Sequence, residues 1–212
     1  LVNPTDREIS GSVVVSDDRV NYRIPAGSAW RLSTSEAGPL QRGYAVIDAD
    51  AGSARPAGFA LMSYRPQGTT VAESSVISVP ETRAARVLVN STGLQTSIGI
   101  SNAGSDRPAR VAVELTGVDG QPTGVRGVLE VPGRGQMSTL VNGIPGFESL
   151  PSSFIGVLRV TSSFTPVTVV GFQERTDERG AFLVGMLPAI SEDGLGTSQL
   201  VVFSSGQAST IK

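Results

Sequence analysis

The sequence predicts an all-β protein of two tandem Ig-like β-sandwich repeats, the first completed by a strand from another copy or from the adjoining chain. Three observations predict it. Short runs rich in β-branched residues alternate with turn residues, and no run keeps a helical period over three turns. Stretches of the first half return in the second about 107 to 113 residues later, the length of one small sandwich domain. The two ends of the chain, placed end to end, resemble one strand that lies uncut in the interior.

The clearest strand runs are Val13-Val14-Val15, Val111-Ala112-Val113-Glu114-Leu115 and Val167-Thr168-Val169-Val170-Gly171-Phe172. Between such runs fall Asp17-Asp18, Asp119-Gly120, Pro132-Gly133, Pro145-Gly146 and Arg179-Gly180, the residues that tight turns favour. In the second repeat the pattern predicts strands over 86–90, 96–102, 109–115, 127–131, 136–141, 155–161, 168–176 and 181–187. Ile144 to Pro151 is too rich in proline for a strand, so it predicts a one-turn helix or crossover with Phe147 and Leu150 turned inward. The joints are expected at 78–85 and 191–197, short enough to hold a defined angle and so to suit a rod. Domain boundaries follow: 1–80 is the incomplete first repeat, 81–190 the second, and 191–212 a linker plus strands of a next repeat.

The repeat aligns Ile24-Pro25 with Val131-Pro132, Gly43 with Gly156, and Pro56 to Arg65 with Pro166 to Arg175. Arg86 to Gly93 is echoed by Gln199 to Gly206, where a third copy begins. At the ends, Ser209-Thr210-Ile211-Lys212 followed by Leu1-Val2-Asn3-Pro4 matches Ser97 to Ala103. A strand cut in this way leaves an unpaired edge and an uncovered apolar face that something must cover. The expected donor residues are Leu200, Val201, Val202, Phe203, Ser209, Thr210, Ile211 and Lys212, and the expected acceptor end is Leu1, Val2 and Asn3. A fragment trimmed from a longer tandem array has the same pattern.

Composition excludes much. With no cysteine and no histidine, the 212 residues hold no thiol nucleophile, disulfide, Cys/His zinc site or histidine base. The single lysine, Lys212, removes interior Schiff-base chemistry and Lys-Asn cross-links. At 17% charged residues and a net charge of -2, no field is available to attract nucleic acid, and no apolar run of about twenty residues predicts membrane insertion. No enzyme activity, cofactor or metal is therefore expected.

The remaining motifs read as local structure. Asp48-Ala49-Asp50-Ala51-Gly52-Ser53 alternates carboxylates as a calcium loop does, but lacks the distant glutamate and reads better as a polar turn. Glu174 to Gly180 gathers charge at a turn with no nucleophile near it. Trp30, with Tyr22, is the candidate aromatic platform for a glycan, against the commoner role of a core aromatic. Asn90-Ser91-Thr92 fits the glycosylation acceptor pattern.

Leu1 to Thr5 with Ser10-Gly11, Tyr22-Arg23-Ile24-Pro25, Asp50 to Ser53, Asn142 to Phe147, Leu150-Pro151, Phe154 to Arg159 and Asp177 to Gly180 together resemble an uncharacterised family of tandem β-sandwich modules in large secreted bacterial proteins. The resemblance implies a cell-surface or extracellular structural setting and brings no catalytic residue. One departure is Ala103, where the first repeat has Pro4. The expected function is a structural subunit of an extracellular bacterial fibre or stalk, its partners copies of itself joined head to tail by strand complementation or unbroken chain. The alternative is a monomeric carbohydrate-binding or adhesive module.

Overall fold

The computed structural model describes residues 1–15, 18–33, 43–65, 68–70 and 72–193. All regular elements among them are antiparallel strands, apart from single 3-10 turns. The chain is thus all-β and builds a β-sandwich, as composition and turn spacing predict.

The sandwich occupies the second half. Its strands are β6 (Ala84–Asn90), β7 (Gln95–Asn102), β8 (Ala109–Gly117), β9 (Pro122–Val131), β10 (Gly135–Leu140), β11 (Ile155–Ser162), β12 (Thr168–Thr176), β13 (Phe182–Leu187) and β14 (Ile190–Ser191). One sheet runs β14-β6-β11-β8-β9, the other β10-β7-β12-β13. Strict alternation along β6 and β8 turns Ala85, Val87, Val89, Ala109, Val111, Val113 and Leu115 inward, as a half-buried strand requires. The 3-10 turn Val141–Gly143 and the crossover after it bring Ile144 and Phe147, both 0% exposed, onto this core, with Leu150 packed beside them. Gly127 is required there, since a Cβ would lie 2.4 Å from the Pro145 carbonyl oxygen.

The first half contains β1 (Ile9–Val15), β2 (Asp18–Ile24), β3 (Ala45–Ala49), β4 (Phe59–Tyr64) and β5 (Ala72–Ile77). They form a three-stranded sheet, β2-β1-β3, and a hairpin, β4-β5. The two pieces repeat the order and antiparallel pairing of β9-β8-β11 and β12-β13. Ile9 faces Ile24 as Ala109 faces Val131, and Val13 faces Ile47 as Val113 faces Val160.

Two boundaries differ from the sequence expectation. The joint expected over 78–85 ends early, because Thr82 already bridges to Val167 and β6 begins at Ala84. Ser191, expected in the next linker, pairs with Ala85 in β14, so the sheet extends one residue past the predicted boundary. Residues 194–197 lie outside the described residues. The two halves meet along β5 and β13, where Ser74, Ser75 and Ile77 stand across a shallow cavity of about 430 Å³ from Gly185, Met186 and Pro188.

Candidate assembly site

The N-terminal residues are pinned by an asparagine that the second half duplicates. Asn3 is fully buried, and its Nδ2 donates to the carbonyls of Arg7 (2.6 Å), Ile24 (3.0 Å) and Pro25 (3.0 Å). Asn102, at the end of β7, is also fully buried and donates to Arg107 (2.8 Å), Val131 (3.4 Å) and Pro132 (3.2 Å). A planar amide suits this corner because its two N–H groups can reach carbonyls on two separated segments, which buried carbonyls need. One residue earlier, Val2 bridges Ala29 on one side and Ala57 on the other, as Ser101 lies between Gln136 and Thr168. Leu1 and Trp30 exchange backbone hydrogen bonds of 2.7 and 2.8 Å, and Leu1 packs on the small core of Ile9, Val13, Tyr22 and Ile24. Leu1, Val2 and Asn3 therefore hold the positions that Ile100, Ser101 and Asn102 hold at the end of β7.

This registration corrects the sequence alignment of β4 by one residue. Pro56 was matched to Pro166, an offset of 110, whereas the ladders place Ala57 with Thr168 and Ser75 with Met186, an offset of 111 (168 − 57 and 186 − 75). The difference matters because a slip of one exchanges the two faces of a strand. At the corrected register Pro56 and Gly58 are buried like Val167 and Val169, while Ala60 and Met62 point to the same interior and are exposed.

Their exposure follows from what is absent beside them. In the second half β6 covers the edge of β11, and β7 covers the edge of β12. Among the described residues nothing pairs with the corresponding edges of β3 and β4 except Val2. The result is an open slot two strands wide, with backbone hydrogen-bonding groups along both rims. Ala45 is exposed there although its counterpart Leu158 is 0% exposed. Phe59 (61%) and Leu61 (64%) stand on the outer face of the β4 rim.

The expected donor residues Leu200, Val201, Val202, Phe203, Ser209, Thr210, Ile211 and Lys212 lie outside the described residues. The expected platform is corrected in part: Tyr22 is 3% exposed and donates its hydroxyl to the Asp48 carbonyl (3.1 Å), so it has no face to offer. Burial, with help from Asp50 and Asp48, pushes the Tyr22 phenol above its ordinary pKa. Trp30 is half-buried, tilted against Tyr22 at 6.2 Å, and part of the same core. Asp50 accepts from the Ser10 hydroxyl, and Asp177 accepts from the Arg179 and Ala181 amides, which makes both acidic loops turn supports. No group of three or more acidic side chains gathers for a metal ion among the described residues.

Sequence reading missed the residues that fasten the end of the second half. Thr82 donates to Asp193 Oδ2 (2.6 Å), which also accepts the Arg83 amide (3.2 Å). Glu192 accepts two hydrogen bonds from Arg159 (2.9 and 2.8 Å) and pairs with Arg86 (2.8 Å). Hydrogen bonding from Arg159 holds the Glu192 carboxyl below its usual range, and hydrogen bonding from Thr82 does the same for Asp193. The signal available was a threonine and two carboxylates in joints otherwise poor in function, too common a pattern to single out.

No family model matches the chain, and no curated protein matches it. A solved structure, that of Thermotoga maritima 1070, is similar over 55% of this chain and 100% of its own, at 14% identity and a TM-score of 0.42, too low to carry an argument about function.

Proposed function

We propose that this chain is a non-enzymatic structural segment of an extracellular bacterial fibre or stalk. In this reading residues 1–80 and 81–190 are tandem Ig-like units, and residues 191–212 carry strands for another unit. Copies join head to tail when the strands at the end of one enter the incomplete unit of the next; unbroken chain gives the same packing. The observation that carries the reading is the slot between β3 and β4, bounded by strand edges that are unpaired among the described residues apart from the Val2 bridge. Such edges are templates for a further strand, and donated strands are an established way of joining protein to protein.

The energies suffice. Burying side chains such as Leu200, Val202 and Ile211 contributes roughly 1.5–3 kcal/mol each. Each backbone hydrogen bond adds roughly 0.5–1.5 kcal/mol. The extracellular setting rests on the family resemblance in the turn and packing residues.

Electron microscopy and light scattering of the purified chain at high concentration test the proposal. End-to-end filaments are expected from the wild type, and none from Ile211→Asp, whose second unit stays folded. Filaments unchanged by that substitution, or none from the wild type, would count against it.

A further inference from the structure

We infer that in the free subunit the slot is closed by the chain's own residues 198–212, folded back as two strands, one added to each sheet, in the register that β6 and β7 hold in the second half. This rests on the proposed reading and concerns how the same slot is regulated: a subunit caps itself, and joining requires the two strands to exchange between copies.

The segment fits the slot without an insertion or deletion. A single offset of 113 places Leu200 and Val202 on Val87 and Val89, and Ile211 on Ile98 (200 − 87, 202 − 89, 211 − 98). Those three counterparts are at most 1% exposed, so Leu200, Val202 and Ile211 fall on core positions, while Val201 falls on the outward-facing Leu88. The same offset puts Gly206 on Gly93, which turns the chain between β6 and β7 at φ +67°, a backbone conformation that favours glycine. It puts Ser209 on Thr96, whose hydroxyl donates to the Asn90 carbonyl and accepts the Asn90 amide, 3.0 Å each. Lys212 then takes the place of Gly99, and Leu1 follows at the place of Ile100. The fifteen residues 198–212 thus span the unfilled positions up to where Leu1 already sits.

The path of the chain favours its own slot over a neighbour's. Where the chain leaves the second half it runs antiparallel to where it arrives: Ser191 pairs with Ala85, the Glu192 amide donates to the Ala84 carbonyl, and Asp193 bonds Thr82 and Arg83. It is therefore directed back along the joint toward Ser78, whose amide donates to the Gly58 carbonyl (2.8 Å). Gly58 lies against Ile47 of β3, since a Cβ there would be 2.6 Å from Ile47 Cδ1. Ile47 is the residue that Ser198 must face, as Val160 faces Ala85. The joint covers this gap in the four steps from Thr82 to Ser78. The departing chain has five steps from Asp193 to Ser198, a reach of about 17 Å. A tether this short gives a local concentration in the millimolar range, far above that of a neighbouring copy in dilute solution. The contact of β5 with β13 agrees, because Ser74, Ser75 and Ile77 are the counterparts of Gly185, Met186 and Pro188 across it at the offset of 111. Contact through equivalent positions is the mark of a two-fold relation, in which a crossing from the first unit to the second has a mate returning.

The chain has no cysteine, so two introduced thiols report the register without interference. In the predicted ladder Thr210 faces Leu61, as Ser97 faces Phe172. Directly opposed strand residues lie within the span a disulfide bridges. The Leu61→Cys, Thr210→Cys chain, oxidised with diamide at low micromolar concentration, is run on a denaturing gel and its mass measured. The expected result is monomer with both thiols lost, a mass lower by two hydrogens, and a faster band, while the Leu61→Cys, Ile211→Cys pair stays reduced. Bridges only between chains overturn self-capping but leave head-to-tail joining intact. Bridging of the shifted pair overturns the register, and no bridge in either pair overturns the inference. Bridged monomer from a chain that forms no filaments upholds the inference and sinks the fibre reading.

Discussion

Two sheets of the same order, β2-β1-β3 and β9-β8-β11, end in different states. The second is closed by β6 on its free edge and by the β7-containing sheet across its face, and eighteen apolar residues are buried there among those described. Among the described residues the first has neither neighbour, and four are buried. The strands themselves are comparable: Ile9, Val13, Tyr22 and Ile24 are as well buried as Ala109, Val113, Leu129 and Val131. What differs is the contribution of two strands, β6 and β7, which bring Ala85, Val87, Val89, Ile98 and Ile100 to the core and also cover residues on β11 and β12. A sandwich is cooperative in this sense: removing two strands exposes their partners as well.

The most severe way to break the comparison is to empty the second core. Phe147→Ala should destabilise the second unit by about 3–5 kcal/mol. Because Trp30 is the single tryptophan and belongs to the first unit, its fluorescence should keep its own urea midpoint while the circular-dichroism transition moves down. A common shift of both signals would mean that the two units unfold as one.

A finer test uses the duplicated asparagine. Asn102→Ala strands three carbonyls and should cost about 2–3 kcal/mol. Asn3→Ala removes the same three bonds from the less complete unit, so Trp30 fluorescence should report that loss while the second transition stays in place. Equal effects on both transitions would contradict the separation.

The smallest effect concerns the latch at 192–193. Glu192 and Asp193 have folded pKa values below their unfolded ones, so their contribution is present above the ordinary carboxylate range of about 4 and is lost as pH falls through the lower folded values. Thermal melts from pH 6 down to pH 2 should show the second transition falling more steeply in the wild type than in Glu192→Gln. Identical slopes would remove the latch from the account.

Much of the fold was legible in the chain, for a local reason. Alternation in β6, β8 and β12 and the glycine and proline turns between them depend on neighbours in sequence, which is why Thr168–Thr176 was placed to the residue. The likeness of Leu1-Val2-Asn3 to the end of β7 was legible too, since it carries the same asparagine. The register of β4 was not, because Pro56 and Pro166 attract an alignment whose error of one residue only a ladder reveals. Whether Tyr22 joins a platform or the core was not legible for a similar reason: an aromatic on an alternating strand faces the core or the solvent depending on which sheet lies opposite.

The sequence by itself determined that this is an all-β chain with a recurring strand pattern, because hydrophobic period and turn chemistry act over a few residues. Only the tertiary structure decided that, among the described residues, the first copy of the pattern is left open along β3 and β4 and that the chain leaves its second copy beside the point where it arrived. Both depend on which edges meet in space, and hydrogen-bond pairing between strands far apart in sequence sets that.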